Sequence, residues 1–254
     1  MKTILSSIVK VFTIFFLYPS VIISCLNITA QNLSEPVPYE SLLQFTDNVL
    51  GSDDELYNGV IYYQSNLGSN GHPYYKNDNW QPSSVTINGK LHRGQFAKYN
   101  IVTDDLIVIL TQKGGSTYPT IISSSFVDQF NLGEHHFVNK KTLNIPDEKM
   151  AFLEIIYEGS FSFFASYQKE FLKIYNSKNP HGKYSQTKTN YYIRDAKGVQ
   201  HMTSVNLLRK YLEIDKKAMK SFLKKNNIKY KYASPGELNQ FLQYCDELKS
   251  TSIK

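Results

Sequence analysis

The sequence predicts a mainly β fold: an antiparallel meander arranged as a barrel, a sandwich or a curved open sheet, followed by a C-terminal α-helical appendage. Three observations carry this. Ser84 to Leu110 reads as strands that double back on themselves, turning at Asn88-Gly89 and at Asp104-Asp105. Roughly ten short β-branched and aromatic runs follow one another with no helix between them, which excludes a doubly wound parallel sheet. From Thr203 onward the apolar period changes from two to about 3.6 residues.

The chain begins with a separate element. Lys2 and Lys10 precede an uncharged apolar run from Val11 to Ile23, and small and polar residues follow. That is the layout of a secretory signal peptide, with an apolar run too short for an ordinary spanning helix and broken by Pro19. Residues 1–30 are therefore expected to be removed on export, with Ala30 before the cut. Ile22-Ile23-Ser24-Cys25 offers an alternative, a bacterial lipobox in which Cys25 is acylated and becomes the first mature residue. Both readings place the mature chain at the periplasm, the outer-membrane periphery or the exterior.

Residues 31–55 form a polar leader with Pro36 and Pro38, and an antiparallel β domain is expected over 56–202. Its first strand is Gly59 to Gln64, rich in Tyr and β-branched residues. Ser65 to Pro73 is a loop dense in turn formers. After the central meander, strands are expected at Thr120–Ser123, Glu134–Val138, Ala151–Tyr157 and Ser160–Tyr167. Tyr175 to Thr189 reads as an exposed connection. A last hairpin pairs Asn190–Arg194 with Gly198–Met202.

A basic helical region is expected over 203–254. Thr203 or Ser204 can cap a helix bearing Leu207, Leu208 and Leu212, and Asp215 can cap a second bearing Met219, Phe222 and Leu223. On that second helix Lys216, Lys217, Lys220 and Lys224 occupy the opposite arc, a basic face suited to an anionic membrane surface or another acidic envelope component. Ser234, Pro235 and Glu237 make a capping box for a third helix whose apolar stripe includes Phe241 and Cys245.

Charge follows this division. The chain carries 28 Lys and Arg against 22 Asp and Glu. Eleven of the bases and only five of the acids lie beyond Met202, so the basic character belongs to the tail. Export argues against nucleic acid as the partner; an envelope protein, a glycan or an anionic membrane surface fits better. If the cut follows Ala30, Cys245 is the single remaining cysteine and no intramolecular disulfide can form.

No sequence pattern announces catalysis. HxH, HExxH, CxxC, a calcium loop and a GxSxG elbow are all missing, and no metal or cofactor is implied. His135 and His136 are neighbours on a strand, so they face opposite ways and cannot chelate one ion. Asp104, Asp105, Glu154 and Glu158 could supply a carboxylate pair, but spacing alone cannot set their separation. The aromatic residues Tyr62, Tyr63, Tyr74, Tyr75 and Trp80, with His72 in the adjoining loop, form the candidate ligand-binding platform.

The segments Leu56-Tyr-Asn-Gly59, Gly71-His-Pro-Tyr-Tyr75, Val85-Thr-Ile-Asn-Gly89, Lys98-Tyr-Asn-Ile101 and Asp215-Lys-Lys with Lys224-Lys-Asn-Asn-Ile-Lys229 together resemble a family of exported β-rich proteins of Bacteroidota-type bacteria. The resemblance implies export and a shared architecture; it brings no activity and no catalytic residue. The expected function is that of an exported cell-envelope protein with a binding or structural role. A hydrolase acting on glycan or cell-wall material is the alternative.

Overall fold

Asn88 and Gly89 both adopt positive φ, 50° and 82°, and turn strand β2 (Gln81–Ile87) into β3 (Lys90–Asn100). From this hairpin an antiparallel sheet of eleven strands is laid out in the computed structural model, which describes residues 59–111, 115–145 and 149–252. The predicted signal segment, Cys25 and the polar leader 31–55 lie outside the described residues.

The remaining strands of the large sheet are β1 (Val60–Ile61), β4 (Asp105–Thr111), β5 (Thr117–Ile122), β6 (Val127–Leu132), β7 (His135–Asn139), β8 (Phe152–Glu158), β9 (Ser162–Gln168), β12 (Lys188–Asp195) and β13 (Gly198–His201). Their spatial order is β1-β5-β4-β3-β2-β6-β7-β8-β9-β12-β13. A separate two-stranded ribbon pairs β10 (Phe171–Leu172) with β11 (Lys183–Tyr184). The first expected strand is shorter than the sequence suggested. The stretch before Gly133 yields β6, a strand the sequence reading left out, and β11 lies within the expected exposed connection.

Strand order shows that the sheet is curled. In a flat sheet β3 and β8 would be separated by four strand spacings, about 19 Å. Yet the ring of Tyr99 on β3 lies 5.8 Å from that of Phe152 on β8, and 5.6 Å from Phe130 on β6. Only a sheet rolled around its own inner face can bring those rings together. The same curl lets residues 123–126 carry the chain from the end of β5 to the far side of β2. The sheet does not close among the described residues, where β1 and β13 are its edges, so the architecture is the curved open sheet.

The inner face holds the main core: Val85, Ala97, Tyr99, Leu106, Val108, Phe130, Phe137, Phe152, Phe163 and Ile193, all at most 1% exposed. Tyr99 meets Phe130, Phe137 and Phe152 edge to face, while Phe130 and Phe137 stack with their ring centres 4.8 Å apart. Asp104 ties the roll together, accepting from the Tyr99 hydroxyl at 2.7 Å and from the Ala151 amide at 2.5 Å.

The helical region packs into this same core. Helix α2 (Val205–Leu212) is capped by Ser204, and α3 (Lys216–Lys225) by Asp215, whose side chain accepts from the Ala218 amide at 2.8 Å. Helix α4 (Pro235–Ser252) starts on the predicted box: the Ser234 amide donates to Glu237 and the Glu237 amide to Ser234 Oγ. Leu208, Leu212, Met219, Leu238, Phe241, Leu242 and Cys245 are buried with the strand residues. Between α3 and α4 the chain makes a 3-10 turn over Tyr230–Tyr232. On the opposite face of the sheet, short helix α1 (Lys140–Leu143) helps cover a second apolar cluster of Val138, Leu153, Phe164 and Tyr192. The outer face of β2, β3 and β6 stays uncovered by it.

Candidate functional site

One irregularity shapes the β3 side of that uncovered face. Strand pairing steps from Ser83↔Gln95 to Val85↔His92, so β3 spends one residue more than β2. The extra residue falls at Gly94, at φ 70°, a bulge conformation that suits glycine. A bulge reverses the alternation of the strand. Leu91 and Arg93 face outward before it and Phe96 after it, while Ala97 and Tyr99 still reach the core.

The result is a groove of about 700 Å³ across β2, β3, β6 and the start of β7. Leu91 and Phe96 line it as large apolar side chains, about half exposed. Gln95, Gln129, Asn131 and His136 supply amides and an imidazole, Arg93 supplies a guanidinium, and no Asp, Glu or Lys lines it. The Gln95 amide donates to the Arg93 carbonyl at 3.0 Å, and His136 Nε2 lies 3.3 Å from Gln129 Oε1. Planar amides beside an exposed ring offer paired donors and acceptors together with an apolar face, the mixture that a polyhydroxylated ring requires.

A second constellation lies on the inner face. Glu154, in the middle of β8, is 2% exposed and uses both oxygens. Oε2 accepts from the hydroxyls of Tyr75 at 2.9 Å and Tyr167 at 2.5 Å, and Oε1 lies 2.5 Å from His135 Nδ1. His135 Nε2 is in turn 2.6 Å from Lys76 Nζ. The Nδ1–H tautomer satisfies both contacts, donating to Glu154 and accepting from the lysine. Burial, and then the neighbouring Glu154 charge, push the phenols of Tyr75 and Tyr167 well above the ordinary tyrosine range, which keeps both hydroxyls as donors.

Lys76 holds a left-handed backbone, φ 54°, at the edge of this network. The arrangement is a polar chain running from the core to the surface: carboxyl, imidazole, ammonium. His135 is partly exposed and is the member of the chain that links the buried carboxyl to the exposed lysine. His136 faces the outer groove, so the two histidines do point to opposite faces.

The predicted aromatic platform is divided. Tyr75 turns inward to Glu154, and Tyr74 is 2% exposed, so neither offers an open face. The Tyr74 hydroxyl is 2.9 Å from that of Tyr62, and His72 stacks on the Tyr74 ring at 6.1 Å. Lys98 fills the remaining space, with its ammonium 4.7 Å from the Tyr74 ring centre, 4.8 Å from the Trp80 ring and 2.5 Å from Asp78. Four of the six predicted residues, Tyr62, His72, Tyr74 and Trp80, are thus engaged with one another or with the protein's own cation. Tyr63 stands apart, 80% exposed. The basic face is a continuous exposed surface: Lys216, Lys217, Lys220 and Lys224 are all exposed while Met219 is buried beneath them.

The groove residues escaped the sequence reading because a period-two pattern assigns faces only in an unbroken strand. Gly94 inside a strand run was the available signal for a bulge. Among the described residues no group of His, Cys, Asp and Glu could hold a metal ion, and no helix is long and apolar enough to cross a membrane. Compared with known proteins, the chain matches no protein-family model, no curated protein and no solved structure.

Proposed function

We propose that this protein is an exported cell-envelope binding protein whose outer groove takes a neutral glycan strand. The carrying observation is the bulge at Gly94, which puts Phe96 and Leu91 on one outward face, beside amides, hydroxyls, His136 and the Arg93 guanidinium. An exposed aromatic among paired amides, with the Arg93 guanidinium as a further donor to hydroxyls, favours sugar rings, and an open groove favours a chain over a small molecule. The signal-like first 30 residues support an envelope location.

Affinity electrophoresis against soluble neutral polysaccharides tests this. Retardation of the wild type, lost in Phe96→Ala, is the expected result; Phe96 is half exposed and its removal leaves the core untouched. Equal migration of the two proteins in every polysaccharide gel would reject the groove as the site.

A hydrolase acting on similar material is the second reading, and one observation favours it. Glu154 orients the partly exposed His135 as a catalytic carboxyl orients a general base, and the other ring nitrogen, which accepts from Lys76, becomes the base once the lysine moves aside. Turnover of a polysaccharide or its esters by the wild type, abolished in His135→Asn with binding retained, would support it. No turnover of any bound polysaccharide would remove it.

A further inference from the structure

A second cleft, of about 670 Å³, shares no lining residue with the outer groove. It is bounded by β12, by the end of β13 with the residues leading into α2, and by the 3-10 turn Tyr230–Tyr232. It holds two lysines where the outer groove holds the single Arg93. Lys188, Lys231 and His201 line it together with the hydroxyls of Thr189 and Thr203, and no carboxyl group is present in the lining.

The aromatic component is equally distinct. Tyr191 and Tyr230 form an inner wall, with ring centres 5.7 Å apart, and Tyr191 is backed by Phe163 at 5.5 Å. Tyr232 stands at the rim, 77% exposed, with the Lys231 ammonium 5.6 Å from its ring centre. A large exposed ring held beside a cation, above a cleft without acids, presents one apolar face and one positive charge to the same ligand.

We propose that this cleft binds an acidic saccharide, a sugar ring bearing a carboxylate. The ring packs against Tyr232, the carboxylate meets Lys231 and Lys188, and the threonine hydroxyls and Asn190 accept and donate to the sugar hydroxyls. The site is separate from the neutral-glycan groove and does not depend on it.

The test is isothermal titration of the full mature chain with oligogalacturonate, set beside the same oligomer fully methyl-esterified, which keeps the sugar and removes the charge. The expected result is binding of the acidic oligomer that weakens with added salt and is at least tenfold weaker for the methyl ester. Tyr232→Ala and the double variant Lys188→Gln, Lys231→Gln should each weaken it at least tenfold, while Phe96→Ala leaves it unchanged. Tyr232 is exposed, so its variant is expected to fold, and circular dichroism checks that. Equal affinity for acid and ester, no heat with either, or loss of binding in Phe96→Ala instead of the cleft variants would each overturn the proposal.

Discussion

His135 Nδ1 and Glu154 Oε1 lie 2.5 Å apart, and they join adjacent strands β7 and β8 at a point where the carboxyl is almost wholly out of water. A carboxyl buried this deeply is tolerable only because its oxygens meet three donors. Glu154→Gln replaces one of those oxygens with an NH2 that must face a donor. We expect a loss of about 3 kcal/mol in urea unfolding. Tyr75→Phe removes a single donor and should cost only about 1 kcal/mol. A Gln variant as stable as wild type would show that the network is not a structural requirement.

Asp246 on α4 is the second polar tie, between helix and sheet. It accepts from the Tyr157 hydroxyl at 2.6 Å and from the Ser160 amide at 2.9 Å, with Ser160 Oγ on its other oxygen. Burial by itself would raise this carboxyl, but the bonds from Ser160 and Tyr157 outweigh it and hold the group below the ordinary aspartate range. A depressed pKa contributes stability that is complete above the unfolded value, about 3.9, and is lost as pH falls through the folded value. Asp246→Asn should therefore cost about 1 kcal/mol at pH 7. The gap between variant and wild type should close as unfolding is measured at progressively lower pH below 4.

Gly94 has no atom within 4 Å of the place where a Cβ would stand, so an added methyl group meets no clash. The cost of Gly94→Ala is then the left-handed backbone alone, about 1 kcal/mol. A loss well above that, or none, in denaturant titration would show that the bulge is not held as described. Because the bulge aims Phe96, the same variant is expected to weaken polysaccharide retardation.

Cys245 is fully buried on the inner face of α4, and burial, followed by the nearby Asp246 charge, pushes its thiol up to about 12. Thiolate is the reactive form, so the native protein should resist a thiol-specific reagent at pH 8 and react promptly in urea. Fast modification of the folded protein would place the thiol at the surface.

The four lysines of α3 are exposed, and their removal exposes no core. Replacing Lys216, Lys217, Lys220 and Lys224 together with Gln should change stability by no more than about 0.5 kcal/mol per site. Sedimentation with anionic vesicles then asks whether this face is a membrane contact: retained binding by the variant would exclude it.

Much of the local structure was legible in the chain. Asn88-Gly89 specifies a hairpin because both residues tolerate positive φ, and Ser204, Asp215 and Ser234 each cap the helix their position announced. These features depend on residues a few positions apart. The candidate sites were less legible. Tyr74 and Tyr75 are adjacent and chemically identical, yet one joins Tyr62 and Lys98 while the other reaches Glu154, 79 positions away.

What the sequence determined by itself was therefore the β class, the hairpin turns, the helix starts and the basic tail, all set by local backbone preference and side-chain period. Only the tertiary structure decided that the sheet is curled and open, that Lys98 occupies the expected aromatic platform, and that Glu154 meets His135, Tyr75 and Tyr167. It also decided that a single extra residue at Gly94 turns Phe96 outward. The physical reason is that these outcomes depend on pairing register and sheet curvature, which the whole set of strands establishes together and no short segment encodes.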